Sequence, residues 1–240
     1  MKALILAAGL GSRLKHLTAE SPKALTQVAG QPILSYQLEA LRRNGIGKIG
    51  IVLGHAGEKI IDFIDQEFPY FQAHYLWNRE YDRSNSSYSF WLAREWVGVE
   101  PYLHLNCDII FSAGLLANLL KTPQENVIAV RTDLALEGNM EHVQLSDGRI
   151  IRMSIRNFPQ AVGKAFGLAK LGVDSTALLK HQMKQHLEKG DRDEHYYGLI
   201  RRAVDKLDYF ALDATGELLL EVNTLEDLER AEALVEFKWK

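Results

Sequence analysis

Residues 4–25 read LILAAGLGSRLKHLTAESPKAL, and the way this stretch changes character decides the fold. An unbroken apolar run from Ala3 to Ala8 gives way at once to Gly9-Leu10-Gly11, then to Arg13, then to Pro22-Lys23. Such a run is the pattern of a strand covered on both faces, as in a parallel sheet flanked by helices. A strand of this kind that ends in glycines brings backbone N–H groups to the carboxyl edge of the sheet, where doubly wound folds bind ligands. Glycine lets that backbone approach anionic oxygens closely. Arg13 adds a planar fork for two oxygens, and Lys23 a compact, movable positive charge. The ligand these groups call for is a nucleoside triphosphate.

Two familiar phosphate motifs do not account for the stretch. GxGxxG fails because Leu14 occupies its last position, and GxxxxGK[ST] is absent. Two glycines alone would be explained equally well by a turn between two elements with cations on the surface. The longer order of residues is the specific feature.

Outward from this stretch, apolar runs alternate with helical patterns. After Pro32, Ile33, Tyr36, Leu38 and Leu41 fall at helical spacing, and Asn44-Gly45 supplies a stop. IGIVLG and EKIIDFIDQEF form a second strand and helix, YLWN and SYSFWLAREW a third pair, and YLHLNCDIIF and AGLLANLL a fourth. This alternation predicts crossover units and a parallel sheet with helices on both faces. From about Asn126 the texture changes: VIAVRTD, HVQLSDGRI and FGLAKLGV read as strands with a turn at Asp147-Gly148, so a mixed or antiparallel region is expected. ALLKHQMKQHLEKG and YYGLIRRAVDKL read as helices, LDYFALDA and LLLEVN as strands. Thr224, with Asp227 three residues on, opens a last helix as a capping box that carries Asp in place of Glu.

Composition bounds the function. A chain of 240 residues with a net charge of -3 gives no support to nucleic acid or an anionic membrane as the main partner. Cys107 is the one cysteine, which rules out an intrachain disulfide and a multi-cysteine zinc site and fits a reducing cytoplasm. The N-terminal apolar run is too short, and too soon broken by glycine, for a signal peptide. No run approaches the roughly 20 residues that span a bilayer. No coiled-coil seam is visible, and the oligomeric state is not readable from the sequence.

The stretch LILAAGLGSRLKHLTAESPKAL resembles the signature of the sugar-phosphate nucleotidyltransferase superfamily, with its glycine-rich loop, arginine and Pro-Lys in this order. NREYDRSNSSYSFWLAREW, LNCDIIF, FGLAKLG and LLLEVNTLEDLERA are similar to successive segments of the branch that contains phosphocholine and inositol-1-phosphate cytidylyltransferases. The resemblance implies an α/β, Rossmann-like nucleotidyltransferase (GT-A-like) fold in a single domain over residues 1–240, with a mostly parallel, mixed central sheet. About 1–125 would be the nucleotide-binding half and about 126–240 the acceptor-binding half.

The resemblance also implies roles. Arg13, Lys23 and Asp108 would be catalytic. The nucleotide would meet Leu6, Ala7, Ala8, Gly9, Gly11, Ser12, Arg13 and Lys23 in the first loop, and Asn85, Ser86, Ser87 and Ser89 in a second. The form of that second loop leans toward CTP, although read on its own it is an ordinary helix-entry loop. Mg²⁺ would sit on Asp108 and Asn223; the branch usually has an aspartate at the latter place, and an amide oxygen can still serve a hard cation. Read alone, Asp108 could cap the segment after its strand, and Asn223 could cap the last helix.

For the acceptor the candidates are Tyr88, Lys170, Tyr196, Tyr197 and Glu221. Choline would call for an aromatic cage and an acid, for which Tyr81, Trp91 and Asp193 or Glu194 are also available; aromatics more often belong to a core, and Lys170 could be an exposed strand lysine. Lys164 and Met153 are not the residues the resemblance leads one to expect. The implied reaction is Mg²⁺-dependent transfer of CMP from CTP to a small phosphorylated or phosphonate acceptor, phosphocholine first, with release of pyrophosphate. 2-Aminoethylphosphonate and inositol-1-phosphate are alternative acceptors. A hexose-1-phosphate enzyme using UTP or dTTP and a noncatalytic nucleotide-binding module are the rival readings.

Overall fold

The computed structural model describes residues 1–138 and 140–238. Strand β1 (Lys2–Ala7) leads through 3₁₀ turns at Ser12–Thr18 and Lys23–Leu25 into the small hairpin of β2 (Gln27–Val28) and β3 (Gln31–Pro32), then α1 (Ile33–Arg43). Next come β4 (Lys48–Leu53), α2 (Glu58–Glu67), β5 (Gln72–Trp77), α3 (Ser86–Leu92), α4 (Arg94–Val97), β6 (Tyr102–Asn106), β7 (Ile109–Phe111) and α5 (Ala113–Lys121). The remainder comprises β8 (Val127–Arg131), β9 (His142–Ser146), β10 (Arg149–Ser154), β11 (Gly163–Leu171), α6 (Val173–Glu188), α7 (Tyr196–Ala203), β12 (Phe210–Asp213), β13 (Leu219–Glu221) and α8 (Leu225–Lys238).

The central sheet runs β5-β4-β1-β6-β11-β8-β12-β10-β9. β5, β4, β1 and β6 are parallel, and β11 then enters antiparallel to both β6 and β8. The change of texture near Asn126 therefore marks a real change in strand direction, and the sheet is mixed. Alternate residues of β1 explain its unbroken apolar run: Ala3, Ile5 and Ala7 join one core with α1, α2 and α5, while Leu4 and Leu6 join the other with α3, α6 and α7. Period-two geometry sends successive side chains to opposite faces, and both faces here are dry.

Three local signals are realised directly. Asp147 and Gly148 both take positive φ, 50° and 76°, as a tight hairpin turn between twisted strands requires. The helix expected through SYSFWLAREW divides at Ala93, whose N–H bonds back to Phe90 O at 3.0 Å and tightens the chain between α3 and α4. The capping box forms, with Thr224 N donating to Asp227 Oδ2 at 2.9 Å and Asp227 N to Thr224 Oγ1 at 3.1 Å.

A third apolar cluster positions the site. Leu14, Val28, Ile33 and Tyr36 pack with Ile110, Leu218, Val222, Ala231 and Val235, so the glycine-rich segment, β7, β13 and α8 share one core. Among the described residues no helix is long and apolar enough to cross a membrane.

Candidate active site

The first loop is fastened from behind and open in front. Gly11 sits at φ +64°, and a Cβ there would meet Thr18 and Lys23 side-chain carbons at 3.1 Å. Thr18 Oγ1 donates to Gly11 O at 2.9 Å, and His55 Nε2 lies 2.9 Å from Thr18 O. A Cβ on Gly9, by contrast, would meet nothing within 4 Å, so the strand end faces open space. Gly54 lies across the sheet edge, where a Cβ would fall 2.3 Å from Ala8 O. Thr18, Gly54 and His55 are supports that the sequence reading missed; their only signal is that small or polar residues follow the two parallel strands.

Lys23 is the centre of the site. Its side chain is 9% exposed, and Nζ lies 2.7 Å from Asp108 Oδ2 and 2.7 Å from Asn223 Oδ1. Arg13 Nη2 reaches the same amide oxygen at 2.5 Å from the exposed side. Arg13, Lys23, Asp108 and Asn223, some 200 residues apart at the extremes, thus converge on one point. The backbone explains how. β13 pairs antiparallel with β7, with Glu221 opposite Ile109, and Val222 N donates to Asp108 O at 2.9 Å. Asp227 accepts from Asn223 N at 3.0 Å, so the cap of α8 also orients the amide residue.

Gln37 supports Asp108 from below. It is fully buried in α1, and its Nε2 donates to Asn106 O at 2.7 Å and to Ile109 O at 2.8 Å, bridging the turn that carries Asp108. A polar residue at a core position of an amphipathic helix was the available signal. Beside Asp108, burial pushes the Cys107 thiol up to about 12, with the Asp108 charge acting in the same direction.

The donor set fits a hard divalent cation. Asp108 Oδ2 and Asn223 Oδ1 already converge on one cationic group, the Lys23 ammonium, and Asp108 Oδ1 is buried without a hydrogen-bond partner. One carboxylate and one amide leave most of a coordination shell to water and substrate phosphates, the arrangement magnesium favours.

The second loop is adjacent, but its serines face inward. Asn85 Oδ1 caps α3 by accepting Ser86 N at 2.8 Å. Ser86 Oγ accepts Tyr196 N, Ser87 Oγ donates to Glu194 O, and Ser89 Oγ accepts from Asn78, so these hydroxyls fasten the loop to the 194–196 segment and the strand end. Ser87 and Ser89 are 0% and 4% exposed, so their hydroxyls serve the fold of the loop. Leu6 and Ala7 are likewise core side chains, while Ser12 and Arg13 are exposed.

Three acceptor candidates are corrected more sharply. Tyr196 and Tyr197 are buried, the first paired through its hydroxyl with Tyr102 at 2.6 Å and the second donating to Phe166 O, so neither is a wall of an open cage. Lys170 pairs with Leu103 near the start of β6, at the end of the sheet away from Asp108, and its Nζ donates to Thr122 O at 2.6 Å. The lysine at the site end of β11 is Lys164, 2.5 Å from Glu221 Oε2. Burial works to raise the Glu221 pKa, but the Lys164 charge and hydrogen bonds from Lys164 and Asn223 prevail and hold it below the usual value. Tyr88 lies in the second loop with its hydroxyl 3.2 Å from Glu80.

A mixed sheet whose first strand ends in an open glycine loop, beside a lysine, an arginine, an acid and an amide gathered on one point, defines a nucleoside-triphosphate-handling class of protein. Residues 3–207 match the family described as the MobA-like NTP transferase domain, and the chain belongs to that family. It is 34% identical over 134 residues to a CMP-5'-(3-aminopropyl)phosphonate synthase of Streptomyces rubellomurinus, covering 56% of this chain and 21% of that protein. It is 26% identical to a choline-phosphate cytidylyltransferase of Haemophilus influenzae, over 95% of this chain and 94% of the other. The solved inositol-1-phosphate CTP transferase of T. maritima superposes with a TM-score of 0.79 at 20% identity, covering 99% of this chain and 97% of that one, a likeness of fold. With three of the curated relatives, the match spans 21%, 40% and 52% of the relative's own length.

Proposed function

We propose that the protein transfers CMP from CTP to a small phosphorylated or phosphonate alcohol or amine and releases pyrophosphate. The observation that carries this reading is the single point on which Lys23, Arg13, Asp108 and Asn223 converge, at the mouth of the open Gly9 loop. The named relatives support cytidylyl transfer, and phosphocholine is the reference acceptor.

An acceptor oxygen attacks the α-phosphorus in line; a new P–O bond forms and the bond to the β-phosphate breaks, its electrons leaving with pyrophosphate. The acceptor oxygen is already ionised near neutral pH, so no side chain has to remove a proton. Catalysis is then positioning and charge stabilisation. Arg13, on the solvent side, holds oxygens of the departing pyrophosphate together with the loop amides. Lys23, already buried beside two oxygen acceptors, offsets the charge that develops at the α-phosphate. Magnesium on Asp108 and Asn223 would neutralise phosphate oxygens when bound. Losing one such contact commonly costs about 3–4 kcal/mol, or roughly 10²- to 10³-fold in rate.

The test is pyrophosphate release with Mg²⁺ from CTP, UTP, dTTP, ATP and GTP, each with phosphocholine, 2-aminoethylphosphonate, inositol-1-phosphate and glucose-1-phosphate. CTP-dependent release with a small acceptor upholds the reading. Release confined to UTP or dTTP with the hexose phosphate replaces it with the sugar reading, and silence throughout leaves an acceptor outside this panel or a noncatalytic module.

A further inference from the structure

Beside the gathered Lys23, Arg13, Asp108 and Asn223 stands an ion pair that the reaction above does not use. Lys164, the second residue of β11, lies 2.5 Å from Glu221 Oε2 with its ammonium 4.5 Å from the centre of the Phe166 ring. Glu221 stands two residues before Asn223, the amide shared by Lys23 and Arg13. Lys164 is thus paired with the strand that leads directly into Asn223. The Lys164–Glu221 pair and the Arg13, Lys23 and Asp108 group together hold three cations and two carboxylates, an excess of one positive charge. Both members of the pair are reachable, with 14% and 23% of their side-chain areas exposed.

Three glutamates of the neighbouring segments also have basic partners. Glu141, whose carbonyl accepts Ala165 N at 2.8 Å beside Lys164, lies 2.5 Å from Arg201 through Oε1. Glu194 is held by Arg202 at 2.6 Å, and Glu80 by Arg192. A quaternary ammonium is recognised by aromatic faces and a free carboxylate. Here Tyr196 and Tyr197 are inside the core, and each of these acids already has a basic partner.

We propose that Lys164 determines acceptor specificity: it withdraws Glu221 from cationic acceptors and offers its ammonium to an acceptor that carries a carboxylate at the end remote from its phosphate or phosphonate. This rests on the cytidylyl-transfer reading. A carboxylate on Lys164 makes a charge-assisted hydrogen bond. A trimethylammonium in the same place meets a like charge, so the site rejects it by repulsion.

The experiment measures kcat and KM with CTP and Mg²⁺ for phosphoglycolate, O-phosphoserine and phosphocholine, in the wild type, Lys164→Met, Lys164→Arg and Lys164→Glu. The wild type favours the two carboxylate-bearing acceptors over phosphocholine by at least tenfold in kcat/KM. Lys164→Met keeps the contact with Phe166 and erases that preference, chiefly through KM; Lys164→Arg retains it and Lys164→Glu reverses it. Thermal melts establish that each variant is folded. A ranking that is the same in all folded variants, or a wild type that prefers phosphocholine, overturns the assignment to Lys164 while leaving cytidylyl transfer intact. Absence of pyrophosphate release with every acceptor overturns the transfer reading, and the assignment with it.

Discussion

Lys23 and Asp108 form an ion pair at 2.7 Å with 9% and 15% of their side chains exposed, and the second carboxylate oxygen of Asp108 has no hydrogen-bond partner at all. Such a pair is a poor source of stability but costly to break from one side, because the remaining charge stays buried. Lys23→Met is therefore expected to lose about 3–5 kcal/mol of stability as well as turnover. Asp108→Ala leaves Lys23 its bond to Asn223 and is expected to lose less. Urea unfolding of the two variants checks the asymmetry.

Gln37 acts on the same carboxylate through the backbone. Gln37→Leu removes both donors to the Asn106 and Ile109 carbonyls, at a cost of about 1–3 kcal/mol. The turn that presents Asp108 loses its brace. The expected kinetic signature is a fall in kcat of tenfold or more with little change in KM for CTP.

The cap of α8 separates stability from function. Thr224→Ala removes the hydroxyl that accepts Asp227 N and costs roughly 1 kcal/mol. Asp227→Ala keeps that bond, whose donor is backbone, and removes instead the carboxylate that accepts Thr224 N and Asn223 N. Both variants are expected to lose similar stability, but turnover falls mainly in Asp227→Ala. Equal turnover in the two would detach the cap from the site.

His104 gives the fold a specific acid sensitivity. Burial lowers its pKa to about 3, and its hydrogen bond with Asn106 only partly opposes this. With the folded value below the unfolded one, the unfolded chain binds the extra proton between about 3 and about 6.5. The contribution of His104 is thus fully present above the unfolded value and is lost as pH falls through that window, at up to about 1.4 kcal/mol per pH unit. His104→Phe preserves a ring against Tyr196, whose centroid lies 3.9 Å away, and flattens the dependence. Denaturation midpoints at pH 7 and pH 5 for the two proteins make the comparison.

What could be read from the sequence depended on whether a signal was local. Arg13 and Lys23 follow a covered strand at short range, and Asn223 precedes a capping box, so their grouping was anticipated by resemblance and their places are where the backbone puts them. Lys170 and Lys164 show the limit. Six residues separate them on one strand, about 20 Å at a strand's rise, and alternation reveals a strand's faces but not which end meets the site. Only the antiparallel entry of β11 beside β6 brings Lys164 to Glu221 and carries Lys170 away to Thr122. The serines of the second loop and Tyr196 and Tyr197 failed for a related reason: a polar run or an aromatic pair does not reveal what packs over it, here the 194–196 segment and His104.

The central claim is that this gathering of Lys23, Arg13, Asp108 and Asn223 performs cytidylyl transfer. It is tested most directly by phosphorus NMR of a reaction containing CTP, Mg²⁺ and the acceptor that gives most pyrophosphate, run with the wild type and with folded Asp108→Ala. The account predicts diphosphate signals of a CDP-linked product, together with free pyrophosphate, from the wild type and neither from the variant. The same product formed by Asp108→Ala at the wild-type rate would contradict it.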